Sequence, residues 1–276
     1  LWNGSTVTLY NVTIENCEAR GTGNEQGRGG AILNNEGWLT INGGTFQNNT
    51  SREGGAVYNK QSAMMTINSG TFTGNSTTRY GGGAVSNHGT LHVYGGTFSG
   101  NSSTGNGGGI YTNGILYMKG NPIIKDNTGT NSALNNLYLA DNNGTTRVID
   151  INGAFTEGAR IGLTPYSTSH TLTYGYGTHN SSTPPDVYFF SDNNYGVLLS
   201  NNNVVLNTNV SVEPANYIDD DGSEKTAWSC NWLTIVADGA TLNSGWYVVD
   251  ADKTFNSRIT VNGDVKFILA DGKTLT

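Results

Sequence analysis

A chain of 276 residues is long enough for one large β domain or two smaller ones. Only 13% of its residues are charged while 39 are glycine, a balance that excludes both a disordered segment and a helical bundle. The formal net charge of −7, without a basic stripe, excludes nucleic acid as a partner, and no apolar run of roughly 18 residues offers a transmembrane segment.

Residues 7–14 (VTLYNVTI) introduce a pattern that returns at 39–46 (LTINGGTF), 65–72 (MTINSGTF) and 91–98 (LHVYGGTF). It returns in weaker form at 116–123 (LYMKGNPI). The closing aromatics Phe46, Phe72 and Phe98 are 26 residues apart, and Ile123 follows after 25. Between these copies stands a second signature: Gly29-Gly30-Ala31-Ile32, Gly54-Gly55-Ala56-Val57, Gly82-Gly83-Ala84-Val85 and Gly107-Gly108-Gly109-Ile110. Asn34, Asn59 and Asn87 follow it, and Asn49, Asn75 and Asn101 each stand three residues after a phenylalanine.

Each period therefore holds three short alternating strands separated by Gly/Asn corners that tolerate left-handed backbone angles. Such a unit buries no face alone, so successive copies stack, each strand pairing with its equivalent about 4.8 Å away. The fold class read from this is all-β, a parallel β-helix, right-handed by the crossover rule. Ile41, Ile67, Val93 and Met118 are predicted to form one inward column, and Phe46, Phe72, Phe98 and Ile123 another. The asparagines are expected to form amide ladders rather than a ligand site. Thr13, Thr45, Thr71 and Thr97 form an outward column one residue wide, too narrow to order a water lattice.

After residue 127 the period degrades. Residues 1–209 are expected to form the β-helix, with 130–209 as irregular final coils and a cap. Residues 164–186, rich in Thr, Ser, Tyr and Gly, read as a long insertion. The Pro- and Asp-containing stretch 210–226 reads as an acidic linker. Residues 227–276 read as the start of a second β-rich, β-helical module of a longer multi-module polypeptide.

Candidate chemistry is sparse. Between Gly29 and Thr128 the acids are Glu36, Glu53 and Asp126, at different corners, whereas glycoside hydrolysis takes two carboxylates about 5–9.5 Å apart. Asp150 and Glu157 are the least remote pair. His88, His92, His170 and His179 have no zinc-ligand spacing, and His92 reads as outward surface. Residues 272–274 (GKT) imitate the end of a phosphate-binding loop, but Phe267 stands where its first glycine belongs. Cys17 and Cys230 read as two thiols. No cofactor is expected beyond a Ca²⁺ ion that Asp219, Asp221 and Glu224 would hold. Arg28, Arg52 and Arg79, with Tyr80 beside the last, precede successive Gly-Gly corners. Stacked on one edge, they would fork onto sulfate or carboxylate groups of a glycan; the alternative is that they are solvated or paired with Glu25 and Glu53.

The pairing of Gly-Gly-Ala-Ile/Val with Phe-x-x-Asn, as in residues 54–57 and 72–75, resembles the repeat of chlamydial polymorphic outer-membrane proteins and related β-helical autotransporter adhesins. Residues 154–163 (AFTEGARIGL), 195–197 (YGV), 245–249 (GWYVV) and 268–272 (ILADG) are similar to large repetitive surface proteins of gut-dwelling Gram-positive bacteria. The resemblance implies an extracellular, bacterial cell-surface, pectin-lyase-like solenoid acting as a non-enzymatic adhesin or stalk. Its expected partner is a host or dietary glycan or a surface protein. The alternative is a carbohydrate-active enzyme, a polysaccharide lyase or glycosidase, on the same scaffold.

Overall fold

The computed structural model describes residues 1–21, 26–168, 170–218, 224–233, 236, 238–249, 251–270 and 272–276. It is an all-β parallel β-helix. The long ladder stacks Thr6–Glu15, Trp38–Gln47, Met64–Thr73, Thr90–Val93, Ile115–Gly120, Ile149–Phe155 and Thr173–Tyr174. All of these neighbours pair in parallel. A second ladder stacks Ile32–Asn34, Val57–Asn59, Val85–Asn87, Ile110–Thr112 and Leu137–Leu139. A third continues from the phenylalanines through Thr97–Ser99 and Ile123–Ile124.

The double-glycine signature follows from the corner geometry. Gly54 has φ +65° and Gly82 φ +78°, a region costly for a residue with a Cβ. The second glycine answers to space: a Cβ on Gly55 would lie 2.0 Å from the carbonyl oxygen of Gly83 in the next coil. The motif is thus one left-handed corner followed by one close backbone approach.

Inside, Phe46, Phe72 and Phe98 stack with centroids 4.8 and 4.5 Å apart and rings nearly parallel. The next member of this column is Ile124, fully buried, and not Ile123, which faces outward beside Thr97. One residue is inserted in the corner around Gly120 and Pro122, so the strand after it is shifted by one. Measured along the buried column, the 26-residue interval holds from Phe98 to Ile124.

The asparagine ladder is continuous. Asn49, Asn75 and Asn101 each donate through Nδ2 to the Oδ1 of the next member, ending on Asn127, at 2.9–3.0 Å. Each Oδ1 also accepts the preceding asparagine's backbone N–H, and Asn75, Asn101 and Asn127 donate to the carbonyls of Phe46, Phe72 and Phe98. Asn127 passes the ladder to Asn136, and Asn136 ends it on the Asp192 carboxylate at 2.6 Å. Every corner amide in this run is thereby satisfied in a buried site, where an orphaned group costs about 1–3 kcal/mol. A fourth ladder of two-residue strands, Thr50–Ser51, Ser76–Thr77 and Ser102–Ser103, was not evident from periodicity. Its hydroxyls bond between coils, as in Thr77 Oγ1 to Ser103 Oγ at 3.0 Å. The Asn-x-Ser/Thr triplets are this pair of ladders seen in sequence.

The later coils are more regular than their sequence. Leu137, Ile149 and Ile161 continue the inward columns. Arg160–Pro165 pairs at one end with Ile123–Ile124 and at the other with Leu137–Leu139. That strand runs straight through what is a corner in earlier coils, which is why the period is lost there. Residues 164–186 are not a surface insertion: Leu172, Thr173 and Tyr176 are fully buried, and Thr173 pairs with Ile149.

Beyond, Tyr195–Ser200 forms a hairpin with Asn203–Ile218, and Val197, Val204 and Leu206 close the end of the large core. The expected boundary at 209 falls inside this second strand, which continues to Ile218 and pairs antiparallel with Glu224–Trp232. Most of the stretch read as linker is therefore strand, whose backbone pairs on both sides of a register shift at Pro214. Thr241–Val249 and Thr260–Leu269 then stack in parallel on Glu224–Trp232 around two small cores of their own.

Candidate functional site

The three arginines stand at the corner before the double glycine, but not in one column. Arg28 pairs in register with Glu53, and Arg52 lies opposite Gly27 and Tyr80, whose backbones it bonds. The corner gains a residue in each successive coil: Ala31, Ala56 and Ala84 follow their arginines by three, four and five positions. Each arginine is therefore displaced by one place relative to the last, and the single-file ladder expected from sequence becomes a diagonal.

The displacement separates their roles. Arg28 is half-buried, with Nε 3.1 Å from Glu53 Oε2 and its guanidinium 4.6 Å above the Tyr58 ring. Arg52 and Arg79 both flank Tyr80, at 5.9 and 5.2 Å from its ring centre. Tyr80 is 43% exposed and Arg79 is exposed. Arg79 and Tyr80 are thus the exposed members of this corner, with Arg52 half-buried against the other side of the ring.

Glu53, read as a corner acid, is buried at the centre of a cluster that sequence reasoning missed. His88 Nε2 lies 2.7 Å from Glu53 Oε1, and the Ser86 hydroxyl donates to the same oxygen at 3.2 Å. Burial would raise the Glu53 carboxyl, but His88, Arg28 and the Ser86 hydroxyl together hold it below the ordinary carboxylate value. Ser86, His88 and Glu53 do not form a catalytic triad. Serine and carboxylate meet the same imidazole nitrogen, Nε2, whereas proton relay needs one on each ring nitrogen. The histidine instead fills a gap in an aromatic column. Tyr58, Ser86, Tyr111 and Tyr138 are register partners, and the His88 ring sits between Tyr58 and Tyr111 where serine leaves space. The single serine among tyrosines at the middle of these strands, Tyr58, Ser86, Tyr111 and Tyr138, was the available signal.

A second outward column on the long ladder runs Thr66, His92, Tyr117, Asp150 and Tyr174. His92 is not bare surface: it stacks on Tyr117 at 4.8 Å, and its Nδ1 lies 2.9 Å from the Tyr94 hydroxyl. Burial, and then the nearby Lys119 charge, hold its pKa below the usual value. At the end of this column a cleft of about 430 Å³ is lined by Ile115, Arg147, Asp150, His170 and Tyr174. Burial raises the Asp150 carboxyl. Glu157 opens onto a different cleft, of about 700 Å³, with Arg160, Tyr188 and Phe190. The two acids are therefore not brought together.

Asp219 and Asp221 lie outside the described residues, and of Glu224 only the backbone, at the start of a strand, is described. Among the described residues no group of three or more His, Cys, Asp or Glu side chains is placed to hold a metal. Nor does any helix among them have the length and apolarity to cross a membrane. No disulfide joins Cys17 to Cys230.

A solenoid of stacked parallel coils is the class that the fold defines. The Chlamydia polymorphic membrane protein repeat is the family description that matches, over residues 43–60 and 95–113. Both segments run from the Gly-containing corner through the buried phenylalanine and ladder asparagine to the double glycine and the short strand. The likeness is thus to the structural half of two coils. No curated protein and no solved structure matches the chain.

Proposed function

We propose that the chain is a non-enzymatic module of a bacterial surface or secreted protein, a rigid β-helix that presents its corner loops as an adhesin or stalk. The carrying observation is the division of labour at the corners. Inward polar groups are consumed by the asparagine and hydroxyl ladders, while Tyr80 and Arg79 are exposed with the half-buried Arg52 beside them. The polymorphic membrane protein repeat, by its name a part of membrane proteins, supports the location. Two guanidinium groups on a shared ring present forked donors suited to sulfate or carboxylate groups of a host or dietary glycan. Exposed charge contacts are worth about 0–1 kcal/mol each, so useful affinity would come from several modules in tandem.

The test is an immobilised-glycan screen with a reducing-end and unsaturated-uronate assay on the same protein. Binding to sulfated or sialylated glycans without product release is expected. Turnover lost on Asp150→Asn or Glu157→Gln would replace this reading with the carbohydrate-active enzyme.

A further inference from the structure

The cleft at the end of the second outward column has a composition that the anionic-glycan edge does not share. Its walls carry opposite charges. Asp150 presents a half-buried carboxylate to which no described side chain donates a hydrogen bond or ion pair. Nε of Arg147 is buried and meets no hydrogen-bond acceptor. An unpaired buried donor is costly, and Arg147 is among the residues that line the cleft. Beside them Tyr174 is 54% exposed, one coil from Asp150 in register, with Ile115 47% exposed nearby. The volume, about 430 Å³, falls within the roughly 300–1,000 Å³ of small-molecule sites.

Each feature restricts the occupant. An anion is opposed by Asp150 and a cation by Arg147, so the ligand is uncharged overall. The carboxylate accepts only and the guanidinium donates only, so the ligand supplies donors and acceptors close together. The exposed phenol ring offers an apolar face to a flat, partly apolar body. A polyhydroxylated ring with one C–H face meets all three demands.

We infer that this cleft binds a neutral hexopyranose unit of a glycan, stacked on Tyr174, with vicinal hydroxyls donating to Asp150 and a ring or substituent oxygen accepting from Arg147. The site is separate from the Arg52–Tyr80–Arg79 edge, on another face, and does not depend on the reading of that edge.

The experiment is saturation-transfer NMR and calorimetry on the full chain with three probes: methyl glycosides of glucose, galactose and N-acetylglucosamine. At least one is expected to bind, with saturation strongest on the ring protons of one face. Tyr174→Ala should abolish the signal and Tyr174→Phe keep it. Asp150→Asn should weaken binding about tenfold, the loss of one hydrogen bond to a charged group. Arg52→Ala with Arg79→Ala should leave it unchanged, which separates this site from the anionic edge. Tyr174 and Asp150 both face outward, so circular dichroism and the melting transition of these variants should match the parent. Silence from all three glycosides, binding that survives Tyr174→Ala combined with Asp150→Asn, or preference for the zwitterion glycine over the sugars would overturn the inference.

Discussion

The coils between residues 32 and 163 and the strands between 203 and 269 are both β-structure, yet they are built on different plans. The coils use strands as short as two residues, each worth little alone, and repeat them until inward columns, amide ladders and a phenylalanine stack run the length of the body. The C-terminal strands are long, up to 16 residues, and among the described residues their two cores hold few fully buried side chains. In the body, stability is a sum of nearest-neighbour interfaces between near-identical units. In the C-terminal sheet it rests on strand length and a few side chains.

The largest expected effect breaks the body's column. Phe72→Ala removes the middle ring of the stack and should cost about 3–5 kcal/mol. By hydrogen exchange, protection should fall across neighbouring coils while residues 241–249 and 260–269 keep theirs. Equal loss in both regions would show that they unfold as one unit.

Next is the polar ladder. Asn101→Ala removes the side-chain donor from the Phe72 carbonyl and the acceptor from the Asn75 amides, and leaves Asn127 Oδ1 the backbone N–H of residue 101 alone; it should cost about 2–3 kcal/mol by chemical denaturation. A cost below 1 kcal/mol, on the order of an exposed surface change, would mean that water replaces the ladder.

Two pH effects are smaller and opposite in sign. The Glu53 carboxyl is held below its unfolded value, so its contribution is present above that value and lost as pH falls through the depressed one. Glu53→Gln should therefore lower the melting temperature at neutral pH and have little effect in strong acid. Asp186 is raised by burial to about 6, above the ordinary carboxylate value, so the folded state binds the proton more readily and stability falls as pH rises toward 6. Asp186→Asn should raise the melting temperature at neutral pH, and the gain should fade below pH ~4.

The body was legible in sequence because its rules are local and repeated: Leu39, Ile41 and Phe46 recur with their corners, and stacking follows. What escaped were shifts of a single residue. Ile124 rather than Ile123 holds the column because one residue is added near Pro122, and the arginines run diagonally because each corner is one residue longer than the last. Such insertions change which side chains meet while leaving the motif readable. The buried Tyr176 fell within the stretch read as an insertion for a different reason: once Arg160–Pro165 removes a corner, no copy remains to align it with. The Glu53–His88 contact joins residues 35 positions apart, and only the coil-to-coil register brings them together.

The proposed function divides the corners between a structural arginine, Arg28, and a recognition pair, Arg52 and Arg79. Binding of a sulfated heparin oligosaccharide, measured at low and high salt for the parent, Arg28→Ala and the Arg52→Ala/Arg79→Ala double variant, tests it most directly. Weak, salt-sensitive binding should persist in Arg28→Ala, with a lowered melting temperature from the loss of the Glu53 partner, and disappear in the double variant with melting unchanged. Parent-like binding by the double variant, at either salt concentration, would contradict the claim.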